Sequence, residues 1–316
     1  MRVIFMGTPA FAVETLNKII KAGHEVITVF TQPDKPKGRG KSVQFTPVKE
    51  VAIAHNIPVV QPIKIRETEQ IELIKELKPE VIVVVAFGQI IPKAILDIPY
   101  YGCINVHASL LPKYRGAAPI QWAIIDGESE TGITTMRMDT GLDTGDMILK
   151  EKVPISEKET NENLFEKLGV IGGDLLIQTL EQIQSGTAIY EKQGESPTPY
   201  AKMIQKDMGL IDWNKEASVI ERQIRGMNPW PSAYTHLGDK TLKIWAADVI
   251  ADTVENSERQ PGEILLVDKK NIVVKAKNGA LALTEIQLEG KKRMSTEAFL
   301  LGYKVSVGEV LKYSKE

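Results

Sequence analysis

A chain of 316 residues with 43% hydrophobic side chains can bury a large core and predicts two domains rather than one. Its single cysteine, Cys103, excludes an internal disulfide framework and fits a reducing, cytoplasmic setting; Met1–Gly7 is too short for a signal peptide, and no apolar run reaches membrane-spanning length. The formal charge is −2, with 22 basic and 25 acidic residues up to position 205 and 17 and 16 after it, so bulk charge does not argue for nucleic-acid binding.

The first half alternates strand and helix signals. Val3–Met6 is a short apolar run closed by Gly7, and a helix follows over Pro9–Lys21 with Phe11, Leu16, Ile19 and Ile20 on its apolar face. Glu25–Thr31 and Val59-Val60 read as strands. Val81–Phe87 is apolar throughout, as a central strand covered on both faces requires. Ile104–His107 and Ile133–Met138 continue the series, with helices at Pro47–Asn56, Thr68–Leu77, Ala117–Ile125 and Asn161–Ser185. The pattern predicts an α/β, doubly wound, Rossmann-like domain with a mainly parallel sheet over residues 1–187, with ligands at the carboxyl ends of its strands. Gly7-Thr-Pro-Ala-Phe11 follows the first strand, yet it lacks the glycine spacing of a dinucleotide turn and Pro9 removes a donor, so no NAD site is expected.

Gly186–Ala201 has two prolines and little apolar periodicity; a linker is placed at 188–205. A helix over Glu216–Arg225 stops at Gly226-Met-Asn-Pro-Trp-Pro231. Five short strands then follow: Ser232–His236, Thr241–Ala246, Gly262–Val267, Ile272–Lys277 and Ala280–Gln287, with turn signals at Gly238-Asp and Asn278-Gly. They predict a smaller OB-like β-barrel over 206–316, with a short helix beginning at Ser295 or Thr296.

Chemistry concentrates in two glycine-punctuated loops, Gly102–Pro112 and Met138–Asp146, each following a predicted strand. Residues i and i+2 of a strand share a face, so Asn105 and His107 point together. An amide and an imidazole side by side can stabilise a developing oxyanion and shuttle a proton, and a carboxylate from the second loop would orient the ring. Asp139, Asp143 and Asp146 all qualify by composition. No serine or cysteine nucleophile is needed if the substrate brings an amine, which suggests acyl transfer. Ser109 lacks a nucleophile elbow around it, and Cys103 reads as a buried structural thiol. The histidines, at 24, 55, 107 and 236, have no metal-ligand spacing, and no metal is expected. Trp213, Trp230 and Trp245 read as packing residues rather than base-stacking platforms.

Together, Asn105-x-His107 with Ser109-Leu-Leu-Pro112, and the loop Gly141-Leu-Asp-Thr-Gly145, resemble the folate-dependent formyltransferases. Gly7–Phe11, Thr31–Lys41, Tyr114–Gln121 and Asn228–Pro231 narrow the likeness to the methionyl-tRNA formyltransferases across essentially the whole chain. The resemblance selects Asp143 as the third catalytic residue beside Asn105 and His107. It implies 10-formyltetrahydrofolate as formyl donor and initiator methionyl-tRNA as acceptor. Ser109, Leu110, Leu111, Pro112, Phe87, Gly88 and Asp139 would contact folate. Lys35, Lys37, Arg39 and Lys41, in the basic loop Pro33–Lys49, would meet the acceptor end of the tRNA. Lys291-Lys-Arg293 is a second basic cluster, as readily surface as phosphate contact. A monomer without a membrane partner is expected. Two rivals stand beside this reading: a formyltransferase acting on a sugar-nucleotide amine or small amino substrate, and a non-catalytic RNA-binding protein built on an OB-like module.

Overall fold

A computed structural model describes residues 1–37, 42–251 and 258–313. The chain divides into two compact units. One comprises Met1–Pro119, Glu130–Pro154 and Phe165–Ala201; the other comprises Ile120–Ser129, Ile155–Leu164 and Lys202–Glu316.

The first unit is built on a seven-stranded sheet. In chain order its elements are β1 (Arg2–Gly7), α1 (Phe11–Lys21), β2 (Glu25–Phe30), the short strands β3 (Lys35–Lys37) and β4 (Ser42–Gln44), α2 (Pro47–Ala54), β5 (Val59–Val60), α3 (Thr68–Leu77), β6 (Val81–Val85), α4 (Lys93–Leu96), β7 (Cys103–His107), α5 (Pro119–Asp126), β8 (Glu130–Arg137), β9 (Met147–Pro154) and α6 (Asn161–Ser185). Helix α5 belongs to the second unit from Ile120 onward, as does α6 up to Leu164. The strand order is β5-β2-β1-β6-β7-β8-β9. The first five run parallel, as the alternating pattern requires. β6 is buried at every position, which explains its unbroken β-branched sequence. It ends at Val85, not Phe87, because Ala86 turns to a positive φ of 46°.

β8 and β9 depart from the predicted pattern. β8 pairs antiparallel with β7, with Ile104 opposite Arg137 and His107 opposite Thr134, and β9 pairs antiparallel with β8. β9 carries exposed charges at its centre (Lys150, Glu151 and Lys152) and gave no periodic signal. β3 and β4 pair antiparallel, so Lys35 and Lys37 lie in a strand pair.

The second unit contains α7 (Ala217–Gly226), β10 (Ala233–Leu237), β11 (Lys240–Ile250), β12 (Ile264–Val267), β13 (Ile272–Lys275), β14 (Ala280–Leu288), β15 (Met294–Ser295) and α8 (Thr296–Leu300). Its five main strands pair in the order β10-β11-β14-β13-β12, all antiparallel. The edges are joined by the segment 308–312. His236 and Lys312 exchange backbone hydrogen bonds at the β10 edge, and at the β12 edge the Ile264 N–H donates to the Glu309 carbonyl while its own carbonyl accepts from the Gly308 N–H. These bridges span from one edge strand to the other, as a barrel-like arrangement requires. Its core gathers Trp213, Ile220, Ile244, Leu281, Leu283 and Phe299. Ser295 caps α8 by accepting from the Ala298 N–H, where the sequence predicted the helix to begin. Within this unit α5 lies against α7. A Cβ on Gly226 would meet Ile125 at 2.6 Å, and Arg222 Nε donates to the Ile125 carbonyl at 3.1 Å.

Candidate active site

β7 is buried along its length, and its alternation sets which side chains meet. Val106 faces α6, where Gly172 lets the helix approach so closely that a Cβ would stand 2.9 Å from the Val106 side chain. Asn105 and His107, on the opposite face, are 8% and 6% exposed. Cys103 shares their face and sits in the apolar core with Ile4, Met6 and Ile82. Burial pushes its thiol up to about 12, so it is a structural residue.

Asp143 reaches these residues by a route the parallel-sheet rule does not describe. Because β8 is antiparallel, the loop after it leaves from the amino ends of the parallel strands, where Met138 N–H bonds the Cys103 carbonyl. The expectation that both loops stand at the carboxyl ends therefore fails for the second. Residues 139–146 fold back across the sheet face, with Asp143 in the left-handed region at φ 54°, a conformation aspartate tolerates better than most residues. Gly145 passes so close to the Arg137 carbonyl that a Cβ would run into it.

The three side chains converge. Asn105 Nδ2 donates to Asp143 Oδ1 at 3.4 Å, and His107 Nδ1 lies 3.7 Å from Asp143 Oδ2. The Gly116 N–H donates to the same Oδ2 at 2.8 Å, while His107 Nε2 donates to the Tyr114 carbonyl at 3.0 Å. The imidazole thus has an oxygen acceptor beside each nitrogen. Of the three candidate carboxylates, Asp143 is the one turned toward the pair. Asp139 instead ties its own turn, accepting from the Gly141 N–H and Thr144 Oγ1.

Residues 1–180 match the formyl transferase family and residues 203–304 match the formyl transferase C-terminal domain. The chain belongs to the formyltransferase family. It is 57% identical to a methionyl-tRNA formyltransferase of Agathobacter rectalis over 98% of both chains, and 52% identical to that of Lachnospira eligens over 98% of this chain and 99% of the other. Among solved structures, the N-formyltransferase of Helicobacter canadensis, in complex with folinic acid and dTDP-3-aminofucose, superposes with a TM-score of 0.68 at 20% identity, covering 90% of this chain and 98% of that one. HypX of Aquifex aeolicus, in complex with tetrahydrofolic acid, gives 0.63 at 16% identity over 98% of this chain; the chain spans about half the length of that protein. At these identities the structural likeness concerns the fold.

The remaining predicted contacts of this formyltransferase fare unevenly. Ser109 is fully buried, and its hydroxyl donates to the Lys113 carbonyl, so it ties a turn. Leu111 packs with Met136 and Met147, leaving Leu110 and Pro112 half-buried. Phe87 is a core residue whose carbonyl already accepts from Thr8 Oγ1 and Gln32 Nε2. Gly88 and Asp139 are exposed, and the two segments also expose Ile90 and Leu142. Among the described residues, no group of three or more His, Cys, Asp or Glu is arranged to hold a metal ion. No helix among them is long and apolar enough to cross a membrane.

In the basic hairpin, Lys35 is exposed and Lys37 ends β3; Arg39 and Lys41 lie outside the described residues. Lys49 is not a free cation. It pairs with Asp34, donates to Gln61 and lies 4.1 Å from the Phe45 ring centroid, bracing the base of the hairpin. Its hydrogen bond holds the Asp34 carboxyl below the usual range. Arg293 is likewise engaged, forked onto Glu285 and lying over Trp245. Trp213 is core, with Nε1 donating to Thr235, whereas Trp230 is 57% exposed and so is not the packing residue expected.

Sequence reasoning missed two residues beside the site, Arg115 and Gln193. Gln193 lies in the stretch read as linker, yet residues 186–201 belong to the first unit, where Ala201 bonds Arg115 and Ala117 through the backbone. A lone glutamine in a stretch without periodicity carries no signal for such a role.

Proposed function

We propose that this formyltransferase moves the formyl group of 10-formyltetrahydrofolate onto the α-amine of methionine carried by initiator tRNA, making N-formylmethionyl-tRNA for translation initiation. The observation that carries the reading is 57% identity to a methionyl-tRNA formyltransferase over 98% of both chains. In this reading the amine attacks the formyl carbon and its oxygen becomes an oxyanion. Asn105 has a second N–H to offer that oxygen, beyond the one directed at Asp143. His107, with an acceptor near each ring nitrogen, is held for hydrogen bonding at the reacting centre, and Asp143 orients it and assists removal of the amine's proton. Collapse expels tetrahydrofolate.

The folate would lie along Phe87-Gly88, Ser109–Pro112 and the loop from Asp139 to Asp143, chiefly through backbone groups and apolar surface, since the Ser109 hydroxyl and Phe87 carbonyl are already bonded. Lys35, Lys37, Arg39 and Lys41 would meet the acceptor end of the tRNA, and the barrel unit would add phosphate contacts. The compartment would be the cytoplasm and the working form a monomer. The sugar-nucleotide alternative rests on fold likeness at 20% identity. Incubating the protein with 10-formyltetrahydrofolate and either methionyl-tRNA or an amino-sugar nucleotide decides between them. N-formylmethionine on the tRNA is expected, and formylation of the sugar alone would overturn the reading.

A further inference from the structure

The Asp143 loop is held at its backbone from outside. Gln193 Nε2 donates to the Asp143 carbonyl at 2.8 Å and to the Gly145 carbonyl at 2.7 Å, bracketing the residue whose carboxylate faces His107. An amide has two N–H bonds on that nitrogen, and both are spent here. The other end of the amide is fixed as well. Arg115 Nε and Nη2 donate to Gln193 Oε1 at 3.0 and 2.8 Å, and Nη2 also reaches the Gly194 carbonyl at 2.9 Å. Arg115 can only donate and the loop carbonyls can only accept, so the amide has one permitted orientation.

The neighbours of Arg115 complete the arrangement. Tyr114 gives its carbonyl to His107 Nε2, and Gly116 gives its N–H to Asp143 Oδ2. Three consecutive residues therefore hold the imidazole, the clamp and the carboxylate. Arg115 is 9% exposed, which keeps water from competing strongly for the guanidinium. Asp143 itself stands in the left-handed region at φ 54°, between the two carbonyls that Gln193 holds.

We propose that Gln193, oriented by Arg115, is a positioning residue that sets the distance between the Asp143 carboxylate and the Asn105–His107 pair. The proposal rests on the reading of Asp143 as a working residue of the site. It assigns Gln193 no contact with either substrate, so its loss should fall chiefly on turnover.

The test compares Gln193→Ala, Gln193→Met and Gln193→Glu in the full chain with Asp143→Asn, measuring kcat, both KM values and thermal melting. Displacing a catalytic group by about 1 Å can cost about a hundredfold. Each Gln193 variant should lose about tenfold to a hundredfold in kcat, with KM for methionyl-tRNA within about threefold of the parent and any rise in KM for 10-formyltetrahydrofolate smaller than the fall in kcat. Gln193→Glu is the sharpest arm. It keeps the volume and strengthens the pairing with Arg115, yet sets a carboxylate against two carbonyls, so it should melt near the parent temperature and still turn over slowly. Should Gln193→Ala unfold at the assay temperature, the Met and Glu variants carry the test. Normal kcat in any folded variant lacking the two N–H donors overturns the proposal, as does a loss confined to KM. If Asp143→Asn itself turns over normally, the reading of Asp143 fails; if Asp143→Asn is inactive and the Gln193 variants are normal, only the clamp fails.

Discussion

Asn105 and His107 are placed by a strand, whereas Asp143 is placed by a loop, and the two solutions draw on different parts of the chain. The strand pair needs only the two-residue alternation of β7 and its neighbours β6 and β8, so five consecutive residues fix both side chains. Asp143 needs Gly145 to pass the Arg137 carbonyl, a positive φ, and bonds from Gly116 and Gln193, which lie 27 and 50 residues away. The strand makes a rigid pair of donors at little informational cost. The loop makes a carboxylate whose position can be adjusted from a distance.

The largest expected effect tests whether both halves of this comparison serve one reaction. His107→Ala and Asn105→Ala should fold normally and lose about a hundredfold to a thousandfold in kcat, the usual cost of removing an oxyanion donor. Near-normal turnover in either would remove the strand pair from the chemistry. Asp143→Asn should fail to a similar degree while Asp139→Asn stays within a few-fold of the parent, because Asp139 only ties its turn. The reverse outcome would assign the loop's role to the wrong carboxylate.

A smaller effect probes the loop's backbone. Gly145→Ala forces a methyl against the Arg137 carbonyl and should cost about 1–3 kcal/mol in thermal stability. It should also lower kcat, since the Asp143 segment must shift; an unchanged melting curve would show that the loop accommodates the methyl. On the hairpin, Lys35→Ala should reduce the slope of log affinity for tRNA against log salt by about one unit if it meets a phosphate. An unchanged slope would leave Lys35 as solvated surface.

The smallest effect returns to the strand. The folded pKa of Cys103, raised by burial from 9.0 to about 12, means that the neutral thiol is the form the fold accommodates. The corresponding stability is fully present below about pH 9 and is lost as pH rises from there toward 12. A maleimide at pH 8 should label Cys103 only at the rate of unfolding; rapid labelling of the native chain would contradict its burial.

What was legible in the sequence follows the same division. The strands read at Val81–Phe87 and Ile104–His107 announced themselves by apolar content and alternation, because the ladder imposes both, and they form at Val81–Val85 and Cys103–His107. The helices over 68–77 and 161–185 were read to the residue, since their apolar stripes repeat along a long element. β9 and the β3–β4 hairpin escaped, because edge strands carry polar residues and make no periodic demand. The direction of β8 was hidden too, since strand residues look alike whichever way the strand runs. For the site, Asn105 and His107 were visible as a pair, but nothing local distinguished Asp143 from Asp139 and Asp146. Gln193 was invisible, because its partners are backbone carbonyls that place no constraint on neighbouring side chains.

The packing of α5 on α7 has a consequence for how the chain is made. Arg222 and Gly226 meet Ile125 across 97 and 101 residues of sequence. At about 5–20 residues per second, ribosomal synthesis leaves an interval of roughly 5–20 s between the emergence of α5 and that of its partner helix. During it, Ile125 awaits the residues that meet it in the finished protein. This helix is therefore where a nascent-chain chaperone should dwell, and where a ribosomal pause before residue 217 should most increase aggregation.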